Sequence, residues 1–273
     1  MESLLKWYED TFTLDFNDSF FTTHPQLVHI APWVAVGLYI AMLVYLPGIM
    51  TKLTDGKGVG KIPYVMFVWN MALSIMSFGI MTGVGIPYLY SWYNEGIFNV
   101  VCSANGNVHK PSPVQFWSLI FGLSKYAELL DTFFLIIRHP TRRVPELQWW
   151  HHISVLVFTW YAEYYQLSVG YVFIVMNATI HTFMYYYYAV AAVGSKPSWA
   201  FILTMGQISQ MVFGITFNGM WAYGYFNGFN CYCKKPNIVM ITCLIIYASY
   251  LYLFVKFAIK RYGGGGSNKK KTQ

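Results

Sequence analysis

The chain has 273 residues, of which 56% are hydrophobic, 20% aromatic and only 11% charged. Soluble domains carry about a quarter charged residues, so this composition excludes an ordinary soluble fold and points to an all-α integral membrane protein. The net charge of +7 is explained by where the basic residues fall along the chain, and no nucleic-acid partner is expected.

The amino-terminal segment opens with Glu2, Lys6, Glu9 and Asp10, not with the basic stretch and apolar run of a cleavable signal peptide. It carries a glycosylation sequon, Asn17-Asp18-Ser19, a candidate modification site if the tail is lumenal. Seven apolar stretches follow, at 29–50, 63–91, 114–137, 147–165, 168–193, 198–223 and 236–259. Each is near the ~20 residues needed to cross about 30 Å of hydrocarbon. Backbone polar groups must be satisfied within lipid, so the spans should be helices. The fourth and fifth nearly abut, which leaves six crossings plus a re-entrant segment as the competing count. The chain thus divides into a tail at 1–28, a membrane domain at 29–260 and a basic tail at 261–273.

Alternating spans put Lys52, Lys57, Lys61, Arg138, Arg142, Arg143, Lys196, Lys256, Lys260, Arg261, Lys269, Lys270 and Lys271 on one side, and Lys6, Lys110, Lys234 and Lys235 on the other. The bias of thirteen to four predicts a lumenal N-terminus and a cytosolic C-terminus. The ending Lys270-Lys271-Thr272-Gln273 reads either as a dilysine retrieval signal for the endoplasmic reticulum or as an ordinary basic tail. Gly263–Ser267 reads as a flexible native tail. Cys102, Cys231 and Cys233 fall in two loops assigned to the lumen, where disulfides form. A bridge from Cys102 to Cys231 or to Cys233 is expected, and the sequence leaves the choice open. Cys243 reads as a buried thiol.

Ionisable and amide side chains inside the spans are expensive in lipid, and each is a functional candidate. The third span carries Lys125, Glu128, Asp131 and Thr132, spaced along one helical face, with Lys125 placed to neutralise Glu128. The fourth begins Gln148-Trp149-Trp150-His151-His152. The adjacent histidines point about 100° apart, so one faces a bundle centre and the other supports it. The fifth carries Asn177, His181, Tyr185 and Tyr188. The sixth carries Thr204, Gln207 and Gln210. Four consecutive spans with polar faces predict a polar-lined pocket in an apolar and aromatic shell suited to an alkyl chain.

At these residues the sequence resembles the ELO family of very-long-chain 3-oxoacyl-CoA synthases, the fatty-acid elongases. Lys125-x-x-Glu128-x-x-Asp131-Thr132, Gln148-x-x-His151-His152, His181-x-x-Met184-Tyr185-x-Tyr187-Tyr188 and Thr204-x-x-Gln207-x-x-Gln210 match its four motifs in order, over about residues 30–260. One position departs: the family's histidine box begins with histidine, and here with Gln148. Glutamine cannot be a base or nucleophile, so this position is read as orienting. The Trp-rich box and Thr159-Trp160-Tyr161 resemble the branch acting on saturated and monounsaturated chains.

The resemblance implies seven transmembrane helices, six of them enclosing a narrow acyl tunnel open to the cytosol and closed toward the lumen. It also implies condensation of malonyl-CoA with an acyl-CoA to give 3-oxoacyl-CoA, CoA and CO2. That chemistry needs a group working near neutral pH and an oxyanion stabiliser. His151 is the candidate nucleophile, forming an acyl-imidazole, with His152, His181 and Asp131 completing the catalytic set. A non-covalent route, with His151 or His181 as a base or oxyanion partner, is the competing mechanism. Candidate substrate-binding residues are Lys125, Glu128, Thr132, Gln148, Asn177, Tyr185, Tyr188, Thr204, Gln207 and Gln210. Arg138, Arg142, Arg143, Lys256, Lys260 and Arg261 are candidates for the CoA phosphates, or simply the basic flanks of the spans.

No cofactor or metal is expected, the CoA thioesters being substrates. The expected partners are acyl-CoA, malonyl-CoA, membrane lipid, and the reductase, dehydratase and enoyl reductase of an elongation cycle; a homodimer is left open. Two rival readings are a seven-helix lipid receptor or transporter, which leaves the four motifs unexplained, and a di-iron desaturase or hydroxylase, which needs more histidine clusters than seven histidines with one adjacent pair provide.

Overall fold

The computed structural model describes residues 24–102, 113–195, 197–229, 231 and 233–263. Asn17, Lys196 and the Lys270-Lys271 pair lie outside them. The described residues form helices α1 (Pro25–Leu53), α2 (Pro63–Glu95), α3 (Ile97–Cys102), α4 (Pro113–Arg138), α5 (Glu146–Tyr164), α6 (Gly170–Ala192), α7 (Ala200–Phe226) and α8 (Pro236–Tyr262). The seven long helices coincide with the seven apolar stretches and overrun most of them by a few residues; α1 already begins at Pro25. The short α3 had no counterpart in the sequence reading. Proline stands at the start of α1, α2 and α8, where its fixed φ suits a first turn and its missing N–H is no loss.

Four of these helices, α1, α2, α7 and α8, are long and apolar enough to cross a membrane. Side chains such as Leu38, Tyr45, Ile75 and Ile202 stand 65–70% exposed on them, an outer surface suited to lipid. The other three, α4, α5 and α6, carry Lys125, Glu128, Asp131, the adjacent histidines, Asn177 and His181. The same polar residues that mark a site lower the mean hydropathy of the helices that hold it.

Helix contacts trace a closed ring, α2–α4–α5–α8–α7–α6 and back to α2, with α1 packed outside against α4 and α5. Small residues set the closest approaches. A methyl group added to Gly83 of α2 would overlap the Trp117 ring of α4, and one added to Gly214 of α7 would overlap Tyr247 of α8. Gly214→Ala is therefore expected to lower stability by about 1–3 kcal/mol through overpacking, read as an earlier thermal transition in detergent. Gly219, with open space around it, is the control.

The connections are fastened at both ends. At the basic end, Val59 N–H donates to the Ile137 carbonyl at 2.9 Å. Gly58, at φ 70°, lies so close to the Arg138 backbone that a side chain there would collide with it. Lys256 pairs with Glu146 at 2.9 Å, joining the end of α8 to the start of α5. At the opposite end a disulfide links Cys102 to Cys231, while Cys233 is free. It closes a separation of 129 residues, for which chain entropy gives an upper bound of about 5 kcal/mol. Cys102→Ser is expected to shorten the half-life for thermal inactivation, and reductant should do the same to the parent protein but not to the variant.

The turn between α5 and α6 is compact. Gln166 N–H donates to Glu163 O and Leu167 N–H to Ala162 O, both at 3.0 Å, a Schellman closure whose left-handed position usually holds glycine. Here it holds Gln166 at φ 54°, at a cost of about 1–3 kcal/mol for a side-chain-bearing residue.

Candidate functional site

Inside the ring lies an elongated cavity. From α5 it takes His151, Val155, Phe158, Thr159, Ala162 and Glu163. These recur at steps of three and four, the stripe one helix face presents. Helices α4, α6, α7 and α8 complete the wall with Leu119, Phe121, Phe173, Ile174, Asn177, Gln210, Met211, Ile246, Tyr247 and Tyr250, among others. Five of the six ring helices thus supply the lining. Helix α2 belongs to the ring but stays behind the wall, because α4 and α6 touch directly in front of it. The wall is mostly hydrocarbon and aromatic, with polar side chains at its two ends.

At the first end the His151 ring stands among three others, with centroids 5.7 Å from His152, 6.4 Å from His181 and 4.9 Å from Tyr250. Of the three histidines only His151 lines the cavity. Adjacent residues on a helix diverge, and His152 is directed instead toward Tyr39 of α1, at 6.2 Å between centroids.

His181 is held by a buried polar chain. Lys125 Nζ donates to Glu128 Oε1 at 2.7 Å and to Asn177 Oδ1 at 2.9 Å, and Ser124 Oγ also donates to Glu128 Oε1, at 3.1 Å. With its oxygen taken by an ammonium, the Asn177 amide must present its NH2 to His181 Nε2, 3.4 Å away. An amide nitrogen only donates, so Nε2 accepts and Nδ1 carries the proton. That Nδ1 faces Glu128 Oε1 at 3.6 Å. Lys125 and Glu128 are 1% and 2% exposed, a depth tolerable only because the charges are paired and hydrogen-bonded.

The expected single face of α4 divides in two at its end. Asp131 turns away from the histidines: its carboxylate accepts from Trp69 Nε1 at 2.7 Å and from Tyr185 OH at 2.8 Å. It reaches His181 only through Tyr185, whose ring lies edge-on to the imidazole at 5.3 Å. Thr132, one residue further round, meets Tyr39 OH at 2.8 Å and accepts from Gln148 Nε2 at 3.1 Å. Gln148 therefore bridges α5 to α4 and does not join the histidines, an anchoring place that suits a residue unable to act as a base.

The α7 stripe also splits. Its spacing of three residues falls short of a helical turn, so successive members rotate away from one another. Gln210 lines the cavity, Gln207 donates to Met184 Sδ at 3.5 Å, and Thr204 meets Tyr262 OH at 3.3 Å. Tyr188 is 46% exposed, outside the cavity wall. Arg142, Arg143, Lys260 and Arg261 are exposed at the basic end, Arg138 is partly buried, and Lys256 is engaged with Glu146.

Trp69, Tyr39, Tyr250 and Ser154 were not anticipated. Ser154 Oγ lies 2.7 Å from Tyr250 OH, which fixes the ring that covers His151. Among the described residues no three His, Cys, Asp or Glu side chains are grouped closely enough to hold a metal ion.

The sequence also matches known proteins. A model of the ELO: GNS1/SUR4 family matches residues 25–273. The chain is 32% identical to fatty acid elongase 2 of Trypanosoma cruzi, over 86% of this chain and 87% of that protein. It is 37% identical to fatty acid elongase 1 of Trypanosoma brucei brucei, over 76% of this chain and 69% of that protein. It is 34% identical to very long chain fatty acid elongase 6 of Mus musculus, over 73% of each. With a family match spanning α1 to α8, and relatives of this identity and coverage, the chain belongs to the ELO (GNS1/SUR4) family of fatty-acid elongases.

Proposed function

We propose that the chain is the condensing enzyme of fatty-acid elongation, a 3-oxoacyl-CoA synthase, and that all seven long helices cross the membrane of the endoplasmic reticulum. The observation that carries this reading is a single histidine, His151, at one end of an apolar cavity that runs on along α5 to Glu163. Twelve residues at 1.5 Å each make that about 18 Å, a length suited to an extended acyl chain.

In this reading the His151 imidazole attacks the thioester carbonyl, the C–S bond breaks, and CoA leaves as a thiolate that takes up a proton. Malonyl-CoA enters next and loses CO2. The enolate so formed attacks the acyl carbon, the C–N bond to His151 breaks, and 3-oxoacyl-CoA departs. His181, with Nε2 engaged by Asn177 and its N–H turned to Glu128, is a positioning and charge-stabilising group. His151 is the ring free to react. Gln210 and Asn177 reach the same end and are placed to donate to the developing oxyanion. Asp131 contributes by fixing Tyr185 against His181.

The basic end is assigned to the cytosol by the positive-inside rule, which places the N-terminus in the lumen. CoA phosphates would meet Arg142, Arg143, Lys260 and Arg261 there. The product needs a reductase, a dehydratase and an enoyl reductase to complete a cycle, and saturated or monounsaturated primers are the expected substrates. The test is incorporation of labelled malonyl-CoA by the purified protein across acyl-CoA primers of graded length. Primer-dependent 3-oxoacyl-CoA is expected; no product with any primer would return the receptor or transporter reading.

A further inference from the structure

The far end of the cavity is polar, and none of the four family motifs reaches it. Glu163 and Gln166 line it, with Gln115 and Tyr171 beside them. Ser118 Oγ donates to Glu163 Oε1. Gln166 is 8% exposed, and its side-chain carbonyl Oε1 is buried without a hydrogen-bond partner. Its backbone lies at φ 54°, in a helix-ending position that favours glycine, yet a long amide side chain stands there in the cavity wall. Between this end and His151 the wall is built of Val155, Phe158, Phe173, Ile174 and Ile246.

A methyl-ended chain filling this space would leave the Gln166 carbonyl against hydrocarbon, and buried acceptors of this kind call for a donor. A hydroxyl supplies one. We propose that this end of the cavity is a subsite for an acyl chain that ends in a hydroxyl group, so that the protein prefers ω-hydroxyacyl primers long enough to reach it. C–C bonds of about 1.5 Å at about 111° advance about 1.25 Å each, so 18 Å corresponds to about fourteen bonds, a chain of about 14–16 carbons. In that pose the ω-hydroxyl donates to Gln166 Oε1 and the Glu163 carboxylate is its neighbour. The inference rests on the condensing reading for its thioester end, but the hydroxyl end can be probed by binding alone.

The test compares ω-hydroxy and methyl-ended acyl-CoA primers of about 14–16 carbons, in chains matched for length, using the purified full-length protein and labelled malonyl-CoA. One buried hydrogen bond gained predicts a kcat/KM ratio of about tenfold in favour of the hydroxyl. The ratio should fall to about one in Gln166→Gly, a variant that suits the left-handed backbone and so guards against misfolding. Primers of about eight carbons, too short to reach at about 1.25 Å per bond, should show no preference. A ratio at or below one in the parent protein, or one unchanged in Gln166→Gly, overturns the proposal. Thermal stabilisation by the same two primers separates the two readings. A hydroxyl preference in binding without turnover would sink the condensing reading and keep the subsite, whereas no preference in binding or turnover would sink the subsite.

Discussion

His151→Ala is expected to reduce malonyl-CoA incorporation by about 10³-fold or more, the scale on which a group acting both in attack and in proton transfer contributes. Three histidines lie within one cluster, and geometry separates them. His152 packs toward Tyr39, and His181 has its acceptor nitrogen engaged by Asn177. His151 alone lines the cavity; an Nδ1 without a hydrogen-bond partner it shares with His152 and His181. Its removal should leave folding intact, because Tyr250 keeps its bond to Ser154 and the Lys125–Glu128–Asn177 chain does not involve it. An unchanged thermal transition beside lost activity is therefore the expected pair of readings. Incubation with acyl-CoA alone, followed by mass analysis, should find the acyl group on the peptide carrying His151. Loss of activity in His151→Ala with strictly sequential kinetics and no adduct in the parent protein would favour the non-covalent route. Full activity in the variant would remove His151 from the mechanism.

Much of this site was legible because a membrane makes polar residues conspicuous. Lys125, Glu128, Asn177 and His181 each stand in an apolar run, and the structure gathers all four into one hydrogen-bonded chain. What the sequence concealed were the aromatic partners. In a chain that is 20% aromatic, the Trp69 indole that holds Asp131 and the Tyr250 phenol beside His151 look like any other lipid-facing ring. The helical stripes were legible as composition but not as direction. Asp131 and Thr132 are adjacent, yet they reach α2 and α6 in one case and α1 and α5 in the other, because the choice depends on which helices pack on either side. The disulfide partner was open for a similar reason: Cys231 and Cys233 are two residues apart, and only the fold of the loop selects Cys231. Gln166 was missed because its role comes from a left-handed turn that glutamine does not announce.

Lys125 and Glu128 provide the second large effect, and their two contributions can be separated. Replacing one member of a buried pair strands the other charge, so Lys125→Met and Glu128→Leu should each cost about 3–5 kcal/mol. The double replacement removes both charges and is expected to recover most of that stability, since apolar side chains of similar volume often substitute for buried ion pairs without net loss. Activity should not recover with it. Without the ammonium, nothing fixes the Asn177 amide, and without the carboxylate His181 Nδ1 loses the charge that faces it at 3.6 Å. The His181 ring is then free to change tautomer and tilt beside His151, and the geometry for charge stabilisation is lost even though the bundle is sound. The expected result is a thermal transition near that of the parent protein together with strongly reduced malonyl-CoA incorporation. Recovery of both would mean that the pair serves only helix packing. Recovery of neither would mean that Ser124 and Asn177, left without their charged partners, cost as much as the ions did.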